Sequence, residues 1–299
     1  MRRAVLIVNP FATRVTEEAV RLVEEELDRV ASVETLLTQR PRHATELAES
    51  ACRGGCDAIV VFSGDGGFNE ALNGADGDIA LGFLPGGGTS VLPRALGFPR
   101  ESVAAARLLA DAVAAGRTRR IGLGRVNGRR FAFSAGVGLD AETVRRVDEL
   151  GRAADGRRPG DTAFVRELLT AVLGRRVRFE PVLEIEGYGE AAMAFVANAN
   201  PYTYAGRVPV PVVPGADFDA GLALLAPRRV TAATLPLFVP AILGSRAIPA
   251  GAIHAVDLDR IVVTCERSLP LQADGEDLGD VQRAEFVAER GAVAVLAPA

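Results

Sequence analysis

The segment Phe62-Ser63-Gly64-Asp65-Gly66-Gly67-Phe68-Asn69-Glu70 leads from a short apolar, β-rich run into a helix ending near Asn73-Gly74. Glycines at 64, 66 and 67 open backbone conformations closed to other residues, so several main-chain N–H groups can converge on one anion. The amino end of the helix adds partial positive charge at the same place. Asp65 would repel a phosphate on its own, but becomes a sensible neighbour if a divalent ion bridges carboxylate and phosphates. A plain glycine-rich turn with a surface aspartate is the alternative. A second cluster, Leu84-Pro85-Gly86-Gly87-Gly88-Thr89-Ser90, follows another apolar run and precedes the helical pattern Val91–Leu96. Its Thr89 and Ser90 hydroxyls can cap that helix or donate to phosphate. Two such loops point to a nucleotide, which needs several anchoring points.

Both loops operate without lysine. All 34 basic residues of the 299 are Arg, there is no Trp, and His43 and His254 are the only imidazoles. That excludes a Walker-type lysine, a Schiff base and a Ser-Lys dyad, and leaves little room for a His-ligated metal. Chemistry must rest on carboxylates, backbone amides and Arg. The net charge of −4 argues against a general nucleic-acid binder. Between 145 and 178, nine Arg stand against five acids, which reads as a solvated helical face or as a patch meeting an anionic surface. Three cysteines argue against a disulfide framework. Cys52 and Cys56 read as two buried apolar thiols rather than a redox pair, and each His as structural.

The elements that must hold these loops follow from hydrophobic patterning. Ala4–Val8, Val33–Leu37, Ala58–Phe62 and Ile79–Phe83 are nearly all apolar, as strands covered on both faces would be. Helical patterns at Thr16–Val30, Ala44–Arg53 and Ser102–Ala115 alternate with them, giving a βαβ series and an open parallel sheet. Ligands of such sheets bind outside the carboxyl ends of the strands, where the loops after Val8, Phe62 and Phe83 would gather. After Gly116 the texture becomes that of antiparallel strands. A hairpin about Asn127-Gly128 joins Arg119–Val126 to Arg129–Ala135, and Val177–Ile185, Ala191–Ala197, Leu222–Ala226, Arg260–Cys265, Leu269–Ala273 and Ala284–Ala288 follow. Helices are expected at Ala141–Leu150, Thr162–Leu173 and Thr231–Leu243, with a connector at Gly151–Gly160. Asn198 and Asn200 beside Pro201-Tyr202-Thr203-Tyr204 would line a cleft or serve the fold. Val230–Ser245, the longest uncharged stretch, is too short to span a bilayer.

Taken in order, Asn9-Pro10, the Ser-Gly-Asp-Gly segment with Asn69-Glu70 and Asn73-Gly74, the Pro-Gly-Gly-Gly-Thr loop with Arg94-Ala95-Leu96-Gly97, and Asp274-Gly275-Glu276 resemble the diacylglycerol kinase catalytic family. The resemblance spans nearly the whole chain. It implies an α/β plus all-β fold: a Rossmann-like nucleotide domain, similar to those of phosphofructokinase and NAD kinase, and a carboxy-terminal antiparallel β-sandwich. The expected boundaries are 1–118 for the first, 119–289 for the lipid-substrate domain, and 290–299 for a segment returning to the first. By the same resemblance Gly64, Asp65 and Gly66 hold ATP phosphates and magnesium, with Asp65 as the Mg2+ ligand. Asn9, Ser63, Gly67, Glu70, Gly88, Thr89 and Ser90 are nucleotide contacts, and Glu276 is the general base toward a lipid hydroxyl. Ser63 and Gly67 replace the usual Gly and Thr, Ser90 the usual Asn, and Ala12-Thr13 lack an expected glycine. Asp219-Ala220-Gly221 lacks the second Asp of a structural metal site.

Asp274 and Glu276, placed on one strand, would project to one face across Gly275. Asp-Gly is equally a turn signal. The reading is a cytoplasmic, Mg2+- and ATP-dependent lipid kinase, peripheral to the inner membrane face when it meets its lipid substrate, with a homodimer among the expectations and no nucleic-acid partner. The alternatives are an NAD kinase-like enzyme and a nucleotide-binding regulator that has lost catalysis.

Overall fold

The computed structural model describes residues 2–138, 141–142, 144–145, 178–231, 248 and 251–299. The expected helices at Thr162–Leu173 and Thr231–Leu243, the connector Gly151–Gly160 and nearly all of the Arg-rich stretch lie outside these residues, as does most of the helix expected at Ala141–Leu150.

In chain order the elements are β1 (Arg2–Val8), α1 (Glu17–Asp28), β2 (Ala31–Leu37), α2 (His43–Arg53), β3 (Ala58–Ser63), α3 (Asp65–Gly74), β4 (Ala80–Pro85), α4 (Val91–Ala95) and α5 (Ser102–Ala115). Strands β5 (Thr118–Val126), β6 (Arg129–Phe131), β7 (Ser134–Val137), β8 (Arg178–Phe179), β9 (Leu183–Ile185), β10 (Gly189–Ala191), β11 (Ala194–Ala197), β12 (Thr203–Ala205) and β13 (Val208–Val210) come next. Last are β14 (Leu222–Pro227), β15 (Val230–Thr231), β16 (Ala252–Leu258), β17 (Arg260–Ala273) and β18 (Glu276–Leu296). The chain forms two compact units, residues 1–121 with 291–299, and residues 122–290.

The first unit is α/β, with parallel strands ordered β2-β1-β3-β4. Val295 at the end of β18 pairs in parallel with Leu81 of β4, adding a fifth strand. Leu6, Ile7, Ile59, Val60, Val61 and Phe62 are fully buried, which a strand achieves only when helices cover both faces. Helix α1 packs with α5, and α2 with α3. Local chemistry sets the helix starts: the Thr16 hydroxyl accepts from Ala19 N, and the Glu101 carboxylate from Val103 N and Ala104 N. The chain steps from β1 one way to β2 and the other way to β3, so the order reverses between β1 and β3. That reversal opens a crevice at the carboxyl ends of these two strands.

The second unit is antiparallel, with strands ordered β16-β14-β11-β7-β17-β18. Inward residues such as Phe131, Val196, Leu224, Val263, Leu271 and Phe286 form its core. Two-residue turns with positive φ close its hairpins: Asn127 (φ 45°) and Gly128 (φ 91°) join β5 to β6, and Asp274 (φ 47°) and Gly275 (φ 79°) join β17 to β18.

Several sequence expectations are corrected here. Arg129–Ala135 is not one strand, because Ala132 and Phe133 leave the ladder and donate their N–H groups to the Asp274 carboxylate. Val177–Ile185 breaks around Pro181, which has no N–H to give a ladder, and Ala191–Ala197 divides into the ends of β10 and β11. Arg260–Cys265 and Leu269–Ala273 belong to the single strand β17, interrupted by a register shift. Asp274 and Glu276 are not alternate positions of one strand: Asp274 is a turn residue and Glu276 opens β18 opposite Ala273.

Candidate active site

Three loops of the first unit are stitched together at the β1/β3 crevice by backbone hydrogen bonds. Asn9 N donates to Phe62 O at 3.0 Å, Gly86 N to Ser63 O at 2.7 Å, and Arg14 N to Gly86 O at 2.8 Å. The two glycine loops touch main chain to main chain, since a Cβ on Gly87 would stand 2.8 Å from the Cα of Gly64. Asn9, Ser63, Gly64, Asp65, Gly66, Gly67, Gly88, Thr89 and Ser90 therefore fall in one neighbourhood, as the strand ends require.

Helix α3 starts at Asp65 with Gly64 as its cap residue, and no side chain caps it. A helix start leaves its first N–H groups without partners inside the helix, so the amides of the first turn are donors for an incoming anion. Asp65 Oδ1 accepts from Leu92 N at 3.2 Å, holding the carboxylate between the starts of α3 and α4. Ser90, buried with φ 48°, accepts through Oγ from Gly87 N at 3.0 Å and closes the second loop. Arg100 Nη2 donates to Gly88 O at 3.0 Å. Burial, and then the Arg100 guanidinium, hold Arg14 below its ordinary value. Two cations thus lie near the second loop, neither with an ion-pair partner among the described residues. Sequence reasoning missed both, because nothing in their spacing marks them; only the absence of lysine pointed to Arg at all.

Other expected residues have different surroundings. The Glu70 carboxylate accepts from Arg42 N at 2.9 Å and Ala44 N at 3.2 Å, so in the free chain it fastens the start of α2 to α3. The Asn9 side chain accepts from Phe11 N. His43 Nδ1 accepts from Gln39 N, and His254 Nε2 donates to Pro214 O, both within the fold. Burial, then Cys52, raise the Cys56 thiol, the reverse of what a reactive cysteine needs.

Glu276 lies in the second unit. Arg129 Nη2 donates to Glu276 Oε2 at 2.7 Å, with both side chains partly covered. Beneath this pair, the buried Asp274 carboxylate accepts from Ala132 N (2.6 Å), Phe133 N (3.0 Å) and Ser134 N (3.1 Å). Asn198 Nδ2 donates to Gly122 O and Ala132 O, both at 2.8 Å, fixing the same segment from its other side. Asn200 Nδ2 donates to Val213 O and Ala216 O. Arg145 grips Asp277 with two bonds and meets Asp280 at 2.6 Å, which holds Asp277 below the usual carboxylate range. Among the described residues no group of three or more His, Cys, Asp and Glu side chains is arranged to hold a metal.

Residues 3–126, which contain all three loops, match the family model of the diacylglycerol kinase catalytic domain. A curated diacylglycerol kinase of Bacillus subtilis is 36% identical over 152 residues, covering 49% of this chain and 49% of that protein. A relative from Streptococcus pneumoniae is 31% identical over 153 residues, 50% of this chain and 51% of its own. The chain thus matches about half the length of these relatives. In fold the likeness extends further: a diacylglycerol kinase structure from Bacillus anthracis superposes with a TM-score of 0.72 at 19% identity, covering 99% of this chain and 97% of that one. An NAD kinase from Archaeoglobus fulgidus, solved in complex with ATP, has a TM-score of 0.54 at 15% identity, covering 99% and 94%. An α/β unit followed along the chain by antiparallel strands is thus a fold shared with both solved structures. No described helix is long and apolar enough to cross a membrane.

Proposed function

We propose that the chain is an ATP-dependent lipid kinase that transfers a phosphoryl group to the hydroxyl of a diacylglycerol-like or long-chain lipid alcohol. One observation carries the reading: a diacylglycerol kinase-family loop, ending in an uncapped helix start beside Asp65, at the switch-point crevice of a parallel sheet. There the first-turn amides of α3 take phosphate oxygens, and Gly88, Thr89 and Ser90 bound the nucleotide from the second loop. Arg14 and Arg100 supply the cationic field that lysine supplies elsewhere. An anion between them would relieve their mutual repulsion.

Mg2+ fits this donor set. It is commonly held by one or two carboxylates together with substrate phosphates and waters, and Asp65 offers one carboxylate beside the amides that receive the phosphates. When bound, the ion would neutralise charge on the phosphates during transfer. The lipid hydroxyl is a poor nucleophile, and Glu276 accepts its proton as it attacks. Arg129 orients that carboxylate, and the Asp274–Asn198 framework holds Arg129's hairpin. The acceptor meets the protein at the membrane surface, which makes a peripheral, cytoplasmic enzyme the natural setting.

Incubation with γ-labelled ATP, Mg2+ and a total lipid extract tests the proposal. Label in an organic-soluble phosphate monoester is expected. Label in NADP when NAD is supplied, or ATP binding with no transfer to any acceptor, would overturn it.

A further inference from the structure

Strands β12 and β13 form a two-stranded sheet of their own, closed by Gly206 (φ 63°) and Arg207. Two bonds from Asn200 Nδ2, to Val213 O at 2.8 Å and Ala216 O at 3.3 Å, fasten the segment behind it. The tip is exposed from residue 206 to residue 209, and Val208, 60% exposed, is the most exposed large apolar side chain among the described residues. A lone surface valine needs no explanation, but the setting of this one selects a partner. From residue 191 to residue 216 the sole charged side chain is Arg207, although 24% of the chain is charged. Two of the three tyrosines, Tyr202 and Tyr204, stand partly exposed on the strand leading to the tip. Val210 O accepts from Tyr202 N at 3.0 Å, so the backbone of 210 faces β12 while that of 209 and 211 faces away. Both are proline. The free edge of β13 thus presents no N–H at these positions, which spares it that desolvation cost in an apolar medium and denies a strand of another protein its donors.

We propose that the β12–β13 hairpin is a membrane-docking finger whose partner is an anionic bilayer surface. Val208 and the proline rings enter the boundary of the acyl chains, the two tyrosines lie at headgroup level, and Arg207 meets lipid phosphates. Only the purpose of the contact, bringing the chain to a lipid acceptor, rests on the lipid-kinase reading; the contact itself is measured without turnover.

The test floats the full chain with vesicles of phosphatidylcholine alone or mixed in equal parts with phosphatidylserine. The wild-type chain should bind the mixed vesicles more tightly. Val208→Asp should weaken that binding at least about tenfold, the worth of burying a valine, with an unchanged melting temperature because the tip is exposed. Arg207→Ala should weaken it about fivefold on the mixed vesicles and little on the neutral ones. The chain has no Trp, so Val208→Trp places a single reporter at the tip. Its emission should shift to the blue on addition of vesicles, with binding at least as tight as wild type. A wild-type chain that ignores mixed vesicles, a Val208→Asp variant that binds them normally, or indole emission indifferent to vesicles would each overturn the proposal. So would a Val208→Asp variant that loses only self-association, which would make the tip a contact between copies. Phosphoryl transfer to a detergent-dispersed lipid without vesicle binding would overturn the finger alone. Vesicle binding that depends on Val208, with no transfer to any lipid, would support the finger and overturn the lipid-kinase reading.

Discussion

Arg129 and Glu276 stand 147 residues apart in the chain, yet the Arg129 guanidinium donates to the Glu276 carboxylate at 2.7 Å. Two hairpins produce the pairing. The Asn127-Gly128 turn begins β6 at Arg129, and the Asp274-Gly275 turn begins β18 at Glu276. If Glu276 is the base, Glu276→Gln removes proton acceptance while keeping shape. Turnover should fall at least about a hundredfold with an unchanged melting temperature, as loss of a general base implies. Steady-state transfer assays on the folded variant decide this, and near-normal turnover would remove Glu276 from the mechanism.

Arg129 acts through Glu276. Arg129→Ala should lower kcat by about ten- to a hundredfold, the scale of a misplaced catalytic group, with KM for ATP little changed. Arg129→Lys should recover part of the loss. A change confined to KM for ATP would show instead that Arg129 serves nucleotide binding.

Asp274 is the support beneath them. Truncation to Ala leaves three buried N–H groups at 132–134 without their acceptor. At about 1–3 kcal/mol for each unsatisfied buried group, with partial relaxation, the loss should be on the order of 3 kcal/mol or more. Urea unfolding measures it, and a loss below about 1 kcal/mol would show that the segment finds other partners.

Asp277 contributes to acid stability in the second unit. Its bonds to Arg145, and the Gly279 N–H, hold it below the usual range in the folded chain. A lowered carboxylate contributes stability that is full above the unfolded value of about 3.9 and is lost as pH falls through the folded one. Asp277→Asn should therefore destabilise at pH 7 and flatten the decline of stability below about pH 4. An unaltered acid limb in pH-dependent melts would contradict this.

Much of this architecture is legible in the letters. The apolar runs at Ala4–Val8 and Ala58–Phe62 read as doubly covered strands, and both glycine loops sit at their carboxyl ends, because burial and glycine geometry are local properties. The second unit is less legible. The break at Ala132-Phe133 depends on a carboxylate more than a hundred residues away, and β17 and β18 are far longer than their apolar cores suggest. Asp274-Gly275 carried two readings, turn and strand, and only pairing of Ala273 with Glu276 decides for the turn. Arg129 left no local signal at all.

The central claim is that main-chain amides at the start of α3 grip the magnesium-bound triphosphate in a chain without lysine. Residue-resolved amide hydrogen exchange, with and without MgATP, tests it most directly. The account predicts that Gly66 and Gly67 N–H groups become strongly protected on addition of MgATP, and that Asp65→Asn abolishes that protection while the fold persists. Tight MgATP binding that leaves exchange at Gly66 and Gly67 unchanged would contradict it.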